Sequence, residues 1–152
     1  MTVTFVPPAG FAPFWKRAVA AVVDFILWTV AYYIIGVVAL MAAIIIGGLP
    51  YSTLGILGSA IGFLTSAIVV GWLYNALLES SPWQATLGKM LMDIRVCDRD
   101  GEAIGFKRAT GRYFAKFVST LLLGLGFILP LFRPERQALH DRMARTLVIN
   151  RF

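Results

Sequence analysis

A chain of 152 residues is long enough for one domain and too short for two comfortable ones. Hydrophobic residues make up 59% of it and charged residues 14%, with a mean hydropathy of +0.77. Soluble domains run at roughly 45–50% and about 25%, so an ordinary water-soluble domain is excluded and lipid is the expected solvent. The net charge of +6 could mark a nucleic-acid partner, but in a lipid-embedded chain it reads as the excess of Lys and Arg on the cytoplasmic side. No nucleic acid is expected.

Residues 1–17 are expected to be a cytoplasmic N-terminus, ending in Trp15, an interface anchor, and the pair Lys16-Arg17. The apolar run that follows exceeds the roughly 7–15 residues of a signal peptide core, so it predicts a permanent anchor. From Ala18 to Leu49 the only charged residue is Asp24. At about 1.5 Å per residue, some 20 residues cross a hydrocarbon core about 30 Å thick, which predicts a first span over 18–48. Gly47, Gly48 and Pro50 stop the helix, and the short uncharged connection predicts an immediate return as an antiparallel hairpin.

The second span is predicted over 53–78. Gly55, Gly58, Ser59, Gly62 and Ser66 recur at three- and four-residue spacings, a strip of small residues where another helix could pack. Asn75 and Glu79 lie one turn apart near the exit, before the anchor Trp83. Residues 80–112 are then expected to form a charged cytoplasmic loop. Within it Ile94 and Val96 alternate with Arg95 and Cys97, and Arg99-Asp100-Gly101 signals a turn, so a short hairpin is expected. The lone Cys97 has no partner for an internal disulfide and is expected to be a half-buried small residue.

Thr146–Ile149 is a second candidate strand, and pairing with residues 93–98 would require both on one side of the membrane. That bears on 113–132, the third apolar segment. Its apolar core, Phe117 to Phe132, would make a helix of about 24 Å, short for a crossing and weakened by Gly124, Gly126 and Pro130. A single crossing would also strand the basic residues of the tail, 133–152, opposite the others. A re-entrant or shallow helical hairpin is therefore favoured, with the Gly124–Gly126 break facing the protein. Pro134 to Ala144 reads as a short interfacial helix.

Asp24 is the most informative residue. It lies seven residues beyond Arg17, about 10 Å deeper and on nearly the same face of a regular helix, with Ala20 and Ala21 leaving room for a neighbour. A carboxylate at that depth needs a protein partner. One reading is a protonatable or cation-coordinating site, and the other a structural hydrogen bond to a group such as Asn75 or Thr65. His140-Asp141 could in principle bind metal or orient a base, but a single histidine without ligand spacing argues against both. Asp141 is better employed pairing with Arg17. Thr86-Leu87-Gly88-Lys89 lacks the upstream glycine of a phosphate loop, so Lys89 is expected to snorkel to headgroups or neutralise a carboxylate. No metal and no cofactor is expected, and no nucleophile stands beside a base, so an enzyme is not expected.

Phe14-Trp15-Lys16-Arg17 with Asp24, Thr86-Leu87-Gly88-Lys89 continuing to Arg95-Val96 and Asp100-Gly101, and Ala138-Leu139-His140-Asp141 followed by Thr146 together resemble the RDD family of membrane proteins. The likeness runs from about Phe11 to Ile149, in the family's order. It implies that Arg17, Asp24 and Asp141 are the arginine and two aspartates of the family name. It also implies a bacterial cytoplasmic-membrane location and a role in transport, with sodium/proton antiport for some members.

The expectation is thus an all-α, multi-pass membrane protein with a small strand pairing and a cytoplasmic N-terminus. It would be a small cation or proton transporter using Arg17, Asp24 and Asp141, supported by Asn75, Glu79, Lys89 and His140, in a homo-oligomer able to enclose a pathway. The rival expectation is a non-transporting adaptor that holds a partner protein or anionic lipid, its charged triad being structural.

Overall fold

The computed structural model describes residues 7–46, 53–121 and 136–151. Two long helices come first, α1 (Phe14–Ile46) and α2 (Thr53–Ser80), and by length and composition both could cross a membrane. Then follow α3 (Leu87–Leu91), β1 (Ile94–Asp98), α4 (Phe106–Leu121), α5 (Leu139–Met143) and β2 (Thr146–Asn150). The chain divides into two compact units, Phe25–Gly71 and the remainder.

In the unit Phe25–Gly71 large apolar side chains point outward, Phe25 at 67% and Tyr33 at 71% exposure among them. A surface of this kind is suited to lipid. Inward, Tyr32 is buried, stacks on Trp28 and donates its hydroxyl to the Phe63 carbonyl at 2.5 Å, with Ser66 also in contact. Gly36 lets this happen, since a Cβ there would press on the Phe63 ring at 3.3 Å. Of the strip of small residues, only Ser66 takes part in this contact. Gly58 and Gly62 face open space, Ser59 is exposed, and the surroundings of Gly55 lie outside the described residues.

The other unit contains a repeat. Gln84, in the left-handed region (φ 52°), precedes the extended Thr86, the five-residue α3, a second left-handed residue, Asp93 (φ 52°), and β1. Fifty-two residues later the same conformations recur in order: Arg136 (φ 48°), extended Ala138, α5, Arg145 (φ 55°) and β2. The two strands pair antiparallel, Ile94 opposite Asn150, Asp98 opposite Thr146, and Val96 opposite Val148, its own counterpart in the repeat. A local twofold axis therefore passes between the two valines. Ile94, Val96 and Val148 pack with Ala12, Ile104, Ala109 and Trp72 on one face, while Cys97, Leu147 and Ile149 pack with Phe11 on the other.

Several expectations are corrected here. The two candidate strands do pair, β1 with β2, but after the Asp100-Gly101 turn only one isolated bridge, Cys97 to Ala103, remains of the expected hairpin. A bilayer cannot run between paired strands, so residues 94–98 and 146–150 share one side. Cys97 is fully buried because Phe11 of the N-terminal segment, which pairs with β2, packs on the face it shares with Leu147 and Ile149. The third apolar helix starts at Phe106, eleven residues before Phe117, within what was expected to be loop. The expected re-entrant break at Gly124–Gly126 falls outside the described residues. Near the C-terminus the helix begins at Leu139 instead of Pro134, because Arg136 to Ala138 are non-helical and Asp141 accepts the Ala138 N–H at 3.1 Å.

Helix α4 is inverted in polarity. Its buried side carries Ala109, Arg112, Ala115 and Ser119, while Phe106, Phe114, Phe117, Val118 and Leu121 are exposed. A helix on a water-soluble core shows the opposite pattern.

Candidate functional site: a buried ionic chain

The inward side of α4 supplies the centre of a polar cluster. Arg112, 2% exposed, donates from Nη1 to Glu79 at 3.1 Å and from Nε to Asp141 at 2.9 Å. Beyond Glu79 lies the Lys89 ammonium, and beyond Asp141 the Arg17 guanidinium, which also donates to the Arg136 carbonyl at 2.6 Å. Five residues thus alternate in sign, Lys89, Glu79, Arg112, Asp141 and Arg17, one from each of the five helices among the described residues. Removing either carboxylate would leave a cation uncompensated, which at a buried site typically costs about 3–5 kcal/mol, whereas without Arg112 two balanced pairs would remain.

Asp24 does not join this chain. It accepts the Tyr74 hydroxyl at 2.8 Å and the Gly88 N–H at 2.8 Å on Oδ1, and the Thr86 hydroxyl at 2.5 Å on Oδ2. Neither expected partner is used: Thr65 donates to the Ile61 carbonyl, and Asn75 accepts Lys116 Nζ at 2.8 Å. The reason is the approach of α3 to α1. Gly88 lies so close to buried Ala20 that a Cβ on it would stand 2.2 Å from the Ala20 carbonyl oxygen, and only this approach brings the amide to Asp24. Ala21, by contrast, is exposed.

The electrostatics follow from burial and charge order. Burial opposes ionisation of Asp141, but Arg17 and Arg112 outweigh it and hold the carboxyl well below the usual carboxylate range. Burial pushes His140 down to about 3 against the opposing pull of Asp141, 3.4 Å from its Nε2, so the imidazole is neutral at physiological pH. Burial and the repulsion of Arg112 push Lys89 down to about 7, with Glu79 opposing them, and burial likewise lowers Lys116. Among the described residues no three His, Cys, Asp or Glu side chains gather as a metal site would need.

Arg17 and Asp141 are therefore in contact, Glu79, Lys89 and His140 adjoin them, and Asp24 and Asn75 are tied to other partners. Sequence reasoning missed Arg112, Tyr74 and Thr86. The signal for Arg112 was its place among Ala109, Ala115 and Ser119, a face of small side chains at helical spacing. Asp24 and Arg17 each address one copy of the repeat: Asp24 meets Thr86 and Gly88 of the first, Arg17 meets Arg136 and Asp141 of the second.

Residues 11–145 match the RDD family, a stretch that includes the whole ionic chain. The chain belongs to the RDD family. It is 33% identical to the uncharacterized protein YxaI of Bacillus subtilis, over 93% of this chain and 97% of that protein. It is also 27% identical to the proline-rich antigen of Mycobacterium leprae and 23% identical to a proline-rich antigen homolog of Mycobacterium tuberculosis. The matched regions cover 63% and 94% of this chain but only 38% and 65% of those longer proteins, so the RDD unit is one part of each. No solved structure matches the chain.

Proposed function

We propose that this RDD protein is a membrane-anchored adaptor: α1 and α2 cross the bacterial cytoplasmic membrane, and the ionic chain fixes a polar cap at their cytoplasmic ends. In this reading the cap is the working surface, the charged triad is structural, and the protein is not an enzyme. The observation that carries it is saturation of the carboxylates. Asp24 accepts three protein donors, Asp141 accepts Arg17, Arg112 and the Ala138 amide, and Glu79 accepts Lys89 and Arg112. A cation in transit needs carboxylate oxygens free to exchange their partners, and here each is already committed. The exposed Lys107, Arg108, Arg136, Arg142 and Arg145 outnumber the exposed Asp93, Asp100 and Glu102, which supports a cytoplasmic cap facing an anionic lipid or a partner protein.

A second reading, a proton or monovalent-cation transporter acting as a homo-oligomer, is favoured by one observation. The cluster sets four cations, Arg17, Lys89, Arg112 and Lys116, against two carboxylates, Glu79 and Asp141, and Lys89 is pushed down to about 7. Flux measurements on proteoliposomes of the pure protein separate the two. The adaptor reading expects no proton-coupled sodium, lithium or potassium flux above an Asp24→Asn control, and a lower melting temperature for that variant. Flux in the wild type that disappears in Asp24→Asn or Lys89→Met, with either variant still folded, would overturn it.

A further inference from the structure

We infer that the outer face of α4 is a binding surface for anionic phospholipid, with acyl chains against its aromatic side chains and a lipid phosphate at Lys107. The inference rests on the membrane-anchored reading and adds an element that is not one of the two long helices. Three observations carry it.

The first is the inverted polarity of α4. Arg112, Lys116 and Ser119 point into the protein while Phe106, Phe114, Phe117 and Leu121 point out, Leu121 at 82% exposure. Water would impose the reverse, so the medium outside this face is apolar. The second is depth. Phe106 and Phe114 each lie with ring centroids 6.0 Å from that of Trp72, whose indole N–H donates to Thr110 of α4 at 3.0 Å. Trp72 stands eight residues before the end of α2, about 12 Å along a helix that reads as a span. Trp72 also packs on the strand core, so the aromatic cluster lies where this helix meets the cap, at the level where acyl chains give way to headgroups. Tyr113 and Phe117 extend the same cluster, the mix of aromatic side chains found where acyl chains meet headgroups.

The third observation is charge. Helix α4 carries Lys107, Arg108, Arg112 and Lys116 and no acidic residue. Within the protein Arg108 meets Asp98, Arg112 meets Glu79 and Asp141, and Lys116 meets neutral Asn75. Lys107 is exposed and has no polar partner among the described residues. It stands one residue from Phe106 at the start of the aromatic face, where an ammonium reaches a phosphate while the rings stay in the acyl region. A second copy of the chain would cover the rings equally well, but its exposed Lys107, Arg108, Arg136, Arg142 and Arg145 outnumber the exposed Asp93, Asp100 and Glu102, so charge favours an anionic lipid as the occupant.

The test uses the whole chain in nanodiscs of phosphatidylcholine with phosphatidylglycerol. A nitroxide is placed by Phe114→Cys in a Cys97→Ala background, and a second protein carries it on α1 by Phe25→Cys. Both labels should be more accessible to oxygen than to a water-soluble nickel chelate, and Lys107→Gln should lower the preference for phosphatidylglycerol over phosphatidylcholine about fivefold. A label at 114 open to nickel while the label at 25 is in lipid overturns the inference alone. Nickel access at both positions overturns the membrane-anchored reading itself. Shielding of 114 from both reagents means a protein covers the face, and unchanged enrichment in Lys107→Gln removes the anionic selectivity; either overturns the inference.

Discussion

Gly88→Ala is expected to break the contact between α3 and α1 although it adds only one methyl group. The new Cβ would lie 2.2 Å from the Ala20 carbonyl oxygen and 2.9 Å from the Asp24 carboxyl carbon. Relief requires a backbone shift of about 1 Å, since the Ala20 carbonyl is backbone and three hydrogen bonds hold the Asp24 carboxylate. That shift would stretch the 2.8 Å bond from the Gly88 N–H to Asp24 Oδ1 beyond hydrogen-bonding range. Losing a hydrogen bond to a charged group costs about 1.5–3 kcal/mol and overpacking about 1–3 kcal/mol, so a destabilisation of about 3 kcal/mol is expected. Gly111→Ala is the control, because nothing lies within 4 Å of a Cβ at that helical position, and it should stabilise by about 0.5–1 kcal/mol. Buried Cys97 provides the assay, since a maleimide reaches it only when the cap opens. Its labelling should be roughly 150-fold faster in Gly88→Ala and slower than wild type in Gly111→Ala. Equal labelling rates in Gly88→Ala and the wild type would refute the claim that the close approach is required.

Two further perturbations probe separate parts of the cluster. Thr86→Val keeps the shape of the side chain but removes one donor from Asp24, and should lower stability by about 2 kcal/mol in thermal unfolding; a neutral result would mean that the carboxylate finds water instead. His140 is held neutral in the folded protein down to about 3, whereas in the unfolded chain it protonates near pH 6.5. Between those values the unfolded state binds more protons, so stability should fall as pH drops from about 6.5 toward 3, by at most about 1.4 kcal/mol per pH unit. In His140→Gln the melting temperature measured against pH should be flatter over that window, and an unchanged slope would refute the assignment.

How much could be read beforehand depended on the kind of signal each residue leaves. The contact between Arg17 and Asp141 was legible because a guanidinium beside an apolar helix demands an acid and the chain has few to offer. The long helices were legible from their unbroken apolar runs. Arg112 was not, because the rule that apolar faces turn inward points the wrong way for a helix whose exterior is apolar, and its charge suggested loop. The partners of Asp24 were hidden for a different reason. Hydroxyls and a backbone amide bear no charge to mark them, and Thr86 and Gly88 stand more than 60 residues away in sequence. The repeat escaped notice because α3 and α5 share conformation with little identity: Gly88 corresponds to His140, and Lys89 to Asp141.

That last correspondence makes the first helix a ruler. Its acid reads the hydroxyl and amide of one half of the duplicated motif, and its base reads the carboxylate of the other, so the halves are not interchangeable. One residue inserted between positions 17 and 24 would turn the two marks apart by about 100° and about 1.5 Å, and neither half could then be satisfied without losing the other. The spacing of seven, and not only the identity of the two charged groups, therefore sets the phase in which both halves of the motif dock on the start of the first helix.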